Sequence, residues 1–279
     1  MKRFLACVLV ILPVAHAQAA NEQPPSTQIE AAKDAEARGA LMHSYDQAAW
    51  HATDRIQQDL SLAKLPADSP VLRSLRGYIV EPGDAGSLFV TFYGQRSDQY
   101  FAFARYAMSG SDVVSGGILE PDGETTLSTL ALRMIAVRGK AIDAMQGPDQ
   151  GLCSRSMPNT LILPPDAIHP MSVYILSSTT QNGHFPAGGH YRFDFDGDDK
   201  LVSQRSFAKS CIDINTEAKN GEKPMTFGIT HFLDENPTEI HAFISYHVPV
   251  PLMVMTVRNR WLWSVEKGKI VPLEHMQKP

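Results

Sequence analysis

Two cysteines constrain what this chain can fold into more than any other pair of residues, and the argument for joining them starts at the N-terminus. Met1, Lys2 and Arg3 form a short basic region, residues 4–14 are an apolar run too short to span a bilayer, and Ala15-His16-Ala17 places small residues at a cleavage-site spacing. That order predicts a secretory signal peptide over residues 1–20, cut near Ala17 or Ala20, and hence a periplasmic or secreted protein. Cys7 precedes most of the apolar run, whereas a lipidated cysteine follows such a run and begins the mature chain, so Cys7 leaves with the peptide. Cys153 and Cys211 remain as an even pair in an oxidising compartment, which predicts a disulfide. Closing a loop of that size stabilises a fold by about 4 kcal/mol in the chain-entropy account. Neither cysteine has a C-x-x-C neighbour or a histidine at ligand spacing, which argues against a redox or zinc-bound pair.

The rest of the chain is that of a globular, turn-rich protein. About 260 mature residues with 43% apolar and 20% charged content suffice for one large core or two modest ones, and 19 Gly with 19 Pro imply many turns. A net charge of −5 with dispersed basic residues leaves no electrostatic footprint for nucleic acid or anionic lipid, so neither is expected as a partner. Beyond the N-terminus no stretch approaches the roughly 18 to 20 continuous apolar residues of a membrane helix, so no membrane span is expected.

Hydrophobic periodicity divides the chain into helical and β-rich parts. Residues 27–64 are rich in Ala, Glu, Gln, Lys and Asp, with Ile29, Leu41, Tyr45, Ala48, Ile56 and Leu60 near helical spacing, which predicts one or two amphipathic helices broken around Gly39. His43 and His51 lie here about two turns apart with no acidic partner fixed, and read as half-buried residues on a helix face. Pro66 to Pro70 ends this helical segment, residues 21–66. Three runs of β-branched and aromatic residues, 77–80, 87–94 and 99–106, then predict an antiparallel meander of three or four strands, covered by a helix within 125–145. That α+β unit, residues 70–147, gives way at Gly147-Pro148 to a β-rich α+β part, residues 148–279. In it, residues 160–163 and 172–176 read as strands, and 190–195 with 200–207 as a hairpin around Asp196-Gly197-Asp198-Asp199. Asp194, Asp196 and Asp198 resemble the start of a calcium loop, but Asp199 and Arg205 stand where the EF-hand pattern needs Gly and Glu.

Most catalytic patterns fail on inspection. Ser61-Leu62-Ala63-Lys64 and Ser206-Phe207-Ala208-Lys209 both match S-x-x-K but lack the S-D-N and K-T-G elements that accompany it. A nucleophile elbow, an H-E-x-x-H helix, a phosphate loop and a dinucleotide fingerprint are all missing. Trp261 and Trp263, two apart on a predicted strand, share a face, where core packing outweighs stacking on a glycan.

Residues 226–263 combine polar groups at site-like spacing with an apolar framework, including a predicted buried strand at 251–257 and a turn at Arg258 to Arg260. Ile229-Thr230-His231, then Thr238-Glu239-Ile240-His241, then the run from Pro251 to Thr256 resemble the signature of the JAB/MPN metalloproteases, H-x-H, a spacer, S-x-x-D and a strand. The resemblance implies an α+β fold in which two histidines and an aspartate hold zinc, a serine helps stabilise the reacting oxygen and a distant glutamate is the general base. Carried over position by position, His231 matches the second histidine, Thr238 keeps the serine's hydroxyl and His241 replaces the aspartate, while Ile229 stands in place of the first histidine. A catalytic zinc takes three protein ligands, and isoleucine offers no lone pair, so the third ligand falls to His190, Glu235, Asp234 or His247, with spacing selecting none. From Ile240 to Val248 the residues also alternate as in a strand, whereas the resemblance requires a helix, and the two readings stand close.

Two functional expectations follow. The first is an exported, noncatalytic α+β binding or assembly module, with an envelope protein or peptide as partner and no cofactor. The second is a zinc-dependent, peptidase-like hydrolase built from His231, His241 and an unassigned third ligand, for which His190 is a candidate, with Thr238 assisting. Convergence or divergence of those three imidazoles separates the two.

Overall fold

The computed structural model describes residues 23–64, 69–120, 124–145, 151–179, 181–218 and 221–277, and shows an α+β protein built on three four-stranded sheets. The predicted signal peptide lies outside the described residues. Among them, no helix is long and apolar enough to cross a membrane.

Helix α1, Ser26–Leu62, is continuous and does not break at Gly39. Glycine in a helix interior costs about 1 kcal/mol against alanine, and the reason for bearing that cost is close packing. A Cβ at Gly39 would lie 2.5 Å from Ala242 Cβ and 2.9 Å from the Glu239 carbonyl oxygen, so the bare backbone lets a second helix seat directly on the first. The buried face of α1 is mostly small: Ala32, Ala35, Ala48, Ala49 and Ala52, interrupted by Met42, Tyr45 and Ile56. Such a stripe lets a helix about 55 Å long lie close along the sheets.

After the short α2, Pro70–Ser74, capped by the Ser69 hydroxyl, come β1 (Leu75–Pro82), β2 (Leu88–Arg96), β3 (Gln99–Ser109) and β4 (Asp112–Ile118), an antiparallel meander. Helix α3, Thr129–Ala144, covers it, its start fixed by the Ser128 hydroxyl accepting the Ala131 amide. The second sheet runs β5 (Asn159–Leu163), β6 (Met171–Leu176), β8 (Tyr191–Phe195) and β9 (Leu201–Ser206), while β7 (His184–Pro186) pairs separately with β10 (Asp213–Asn215). Every residue of β6 is buried, as expected of a strand covered on both faces, and its one small polar residue, Ser172, is hydrogen-bonded inside the protein. The acidic turn of the β8–β9 hairpin is held by protein groups: Asp196 Oδ1 accepts the Asp198 and Lys200 amides, and Arg133 of α3 bonds Asp199.

The third sheet is β11 (Phe227–His231), β12 (Leu252–Thr256), β13 (Trp261–Glu266) and β14 (Lys269–His275). β11 and β12 are parallel, joined by the crossover helix α4, Glu239–Ser245, and the other pairs are antiparallel. The alternation from Ile240 to Val248 thus falls on α4 and the turn that follows it. All seven residues of α4 are buried, so its pattern has no solvent face to reveal a helical period. Trp261 and Trp263 are core residues, Trp263 with no exposed surface and its indole N–H on Thr256 Oγ1. The two hydrophobic clusters each draw residues from both sides of Gly147-Pro148.

Cys153 and Cys211 are joined, with Cα atoms 5.3 Å apart. The bridge passes Gly189, whose φ of +71° suits glycine and where a Cβ would meet Cys153 Sγ at 2.6 Å. This close approach anchors the loop that leads into His190.

Candidate functional site

The packing of α4 between α1 and the sheets creates three polar clusters. The sequence singles out members of one of them. His231 ends β11, buried, and its Nε2 lies 2.9 Å from Asp234 Oδ2, which also accepts Arg205 Nη2 at 2.7 Å. Burial pushes the Asp234 carboxyl up, but hydrogen bonds from His231 and Arg205, together with the guanidinium charge, outweigh it and hold the group far below the usual carboxylate range. His241 sits in the first turn of α4, its ring 4.8 Å from that of His231 and nearly perpendicular to it. Its Nδ1 accepts the Thr238 amide at 3.0 Å and lies 3.0 Å from Thr238 Oγ1, so the helix is closed at its start by a histidine where a capping box has Glu or Gln. Accepting that amide fixes the neutral tautomer with its proton on Nε2. Burial, and after it the neighbouring His231, push the imidazole down to about 3. Thr238 itself is buried at the helix N-cap.

His190 does not join this pair through its nitrogens. Nδ1 accepts the Ser177 amide at 3.2 Å and Nε2 donates to the Pro186 carbonyl at 2.9 Å, while burial pushes the ring down to about 4. Of the other candidates for a third ligand, Asp234 is the one beside His231; Glu235 accepts from Gln28, and His247 lies beyond the opposite end of α4. Ile229 is buried in the core.

As arranged, these side chains do not fit a catalytic zinc. His231 Nε2 is bonded to Asp234, His241 Nδ1 is held by the helix start, both His190 nitrogens are engaged, and the Arg205 guanidinium supplies the positive charge beside Asp234. Among the described residues no group of three His, Cys, Asp or Glu side chains is placed to share a metal ion. A cavity of about 170 Å³ adjoins His231 and His241, walled by Phe207, Lys209 and Phe232.

A second cluster ties α1 to α4 and the second sheet. Arg38 Nη2 donates to Tyr174 Oη at 2.7 Å and to Ser172 Oγ at 3.1 Å, and Ser172 in turn donates to Asp194 Oδ1 at 2.7 Å. Arg192 pairs with both Asp194 and Glu239, and Tyr174 Oη donates to Glu239. Two guanidiniums and two carboxylates balance, and each finds partners inside the protein.

The third cluster lies where the C-terminal end of α4 meets α1. His43 stacks on Tyr246, with ring centroids 4.2 Å apart, and meets the edge of His247 at 5.3 Å. Asp46, one turn after His43, accepts Asn159 Nδ2 through Oδ1 at 3.0 Å, and its Oδ2 lies 3.9 Å from His247 Nε2, beyond hydrogen-bond reach. His43 Nδ1 and His247 Nε2 are buried without a hydrogen-bond partner among the described residues. Burial lowers both imidazoles, and burial raises Asp46. His247 and Asp46 line a cavity of about 290 Å³ that reaches the surface at Thr179. His43 therefore has a fixed acidic neighbour, unlike His51, which stacks on the exposed Trp50. The i, i+3 spacing of His43 and Asp46 was the available signal in the sequence.

None of the protein families, curated proteins or solved structures compared with the chain matches it.

Proposed function

We propose that the chain is an exported, noncatalytic binding module, and that its C-terminal part is a JAB/MPN-type unit refitted for structure. The observation carrying this reading is the engagement of the three candidate histidines. His231 bonds Asp234 through Nε2, His241 closes the start of α4 through Nδ1, and His190 bridges Ser177 and Pro186, so four of their six nitrogens serve the fold. Arg205 beside Asp234 opposes a divalent cation at the same place. The β11–α4–β12 crossover, with His231 ending the strand and His241 opening the helix, supports the family likeness. The Cys153–Cys211 bridge accords with export to an oxidising compartment, as does the predicted signal peptide cut near Ala17 or Ala20. The partner is then a molecule of the envelope, held without turnover.

The contact between the His231 and His241 rings favours a second reading, zinc-dependent hydrolysis, and one experiment separates the two. Untagged protein purified from zinc-supplemented cells is analysed for bound metal and for peptide hydrolysis. The binding-module reading expects neither. Stoichiometric zinc that disappears in His231→Ala and His241→Ala would overturn it.

A further inference from the structure

We propose that the cleft between α1, the C-terminal end of α4 and the loop after β6 is a binding site for a small organic ammonium ion carrying an apolar group. The inference rests on the reading of the chain as a binding module and names the class of ligand. Buried polar atoms nearly always have partners, so two unpartnered imidazole nitrogens in one cluster call for an explanation. One of them, His247 Nε2, lies 3.9 Å from Oδ2 of Asp46, the one carboxylate among the described residues that line the cavity. A donor between them would bond both atoms when the His247 ring turns to expose Nε2, whereas the side chains themselves leave the gap unbridged. Asp46 Oδ1 is held by Asn159, which is in turn bonded by Tyr78, so the carboxylate is fixed in place before any ligand arrives.

The charge of the lining selects a cation. Among the described residues that line it, Asp46 is the only acidic side chain and none is Lys or Arg. His190, also in the wall, is neutral with both nitrogens occupied. His247 can accept a hydrogen bond in its neutral form, and His43 backs it, held flat against Tyr246. An ammonium group offers three N–H donors and no acceptor, which suits a carboxylate and a neutral imidazole nitrogen. The remaining wall is apolar, with Leu176, Phe185, Phe243 and Ile244, and the aromatic faces add attraction for a cation with a hydrocarbon body. A volume of about 290 Å³ suits a small molecule.

The test is calorimetric titration of the untagged exported chain with benzylammonium, benzyl alcohol and phenylacetate, three probes of similar size and different charge. Benzylammonium is expected to bind one-to-one and at least tenfold more tightly than benzyl alcohol, with phenylacetate not binding. Asp46→Asn should remove that tenfold preference while leaving the alcohol unchanged, and Phe185→Ala, at the half-buried wall, should weaken both. Equal affinity for alcohol and ammonium, in the native protein, overturns the assignment of a cation and leaves the binding module standing. Absence of saturable binding by all three overturns the site, and zinc-dependent hydrolysis overturns the module itself.

Discussion

The helix pair α1 and α4 carries two polar clusters, one of guanidiniums and carboxylates and one of imidazoles with a carboxylate, and they differ in how far their groups are satisfied. Around Arg38, Tyr174, Arg192, Asp194 and Glu239, at the start of α4, charges balance and the groups bond one another. Around His43, Asp46 and His247, near the end of α4, two buried nitrogens have no partner among the described residues and a cavity opens beside Asp46 and His247. A saturated cluster stabilises and specifies the packing of the elements it joins, while an unsaturated one costs stability and is retained where something else completes it. The first should therefore behave as architecture and the second as a site.

The largest effect expected from this contrast is on Arg38. Replacing Arg38 by Ala strips Tyr174 and Ser172 of their donor and leaves Asp194 and Glu239 buried with Arg192 as the sole cation among them. Breaking a buried, hydrogen-bonded charge network in this way costs on the order of 3–5 kcal/mol, read as a fall in the urea midpoint without change in slope. A loss below about 1 kcal/mol would mean that the cluster is not holding α1 in place, and the contrast would fail on its structural side.

A smaller effect extends the comparison to saturated imidazoles. His190 is pushed down to about 4 by burial, and protonation at Nδ1 would also break the bond from the Ser177 amide. A group whose folded value lies below its ordinary 6.5 contributes no pH dependence above pH 6.5, where both states are neutral. Below it the unfolded chain takes up a proton that the folded chain refuses, so stability falls with pH. Between 6.5 and about 4 the loss is about 3 kcal/mol for this residue. His190→Asn keeps an acceptor near the Nδ1 position, and urea titrations at neutral and acid pH should show its acid loss reduced by about that amount. An undiminished acid loss in His190→Asn would place the sensitivity elsewhere, with His241 as the next candidate.

The two clusters also differ in how far they could be seen in the sequence. Strands β1, β2, β3, β5, β6 and β12, the β8–β9 hairpin and the disulfide rest on local alternation, turn residues and the pairing of two cysteines, and each is where those rules put it, whereas β7, β10, β11 and β14 carry no such local signal. Arg38 lies in a stretch whose composition suits a solvated helix, and its burial follows from partners on β6 and α4 that local periodicity does not encode. Gly39 misled for the same reason: its local preference is to break the helix, and contact with Ala242 overrides it. His231, Thr238 and His241 were legible as neighbours because a short crossover brings them together, whereas the grouping of His43 with His247 depends wholly on how α1 lies against α4.

The smallest expected effect is the most discriminating. In His247→Leu the unpartnered Nε2 disappears and an apolar group takes its place between Phe243 and the cavity wall. Removing a buried polar atom that has no partner relieves a desolvation cost, and filling the space with hydrocarbon adds buried apolar surface. The edge contact with His43 is lost, which works in the opposite direction. The balance predicts stability at neutral pH that is unchanged or raised by up to about 1 kcal/mol, as at sites where function has been kept at the expense of packing. The same variant should lose affinity for benzylammonium, separating binding from folding at a single position. A loss of more than about 2 kcal/mol on His247→Leu would put this histidine in the same class as Arg38, as a residue the fold needs, and would erase the distinction between the two ends of α4.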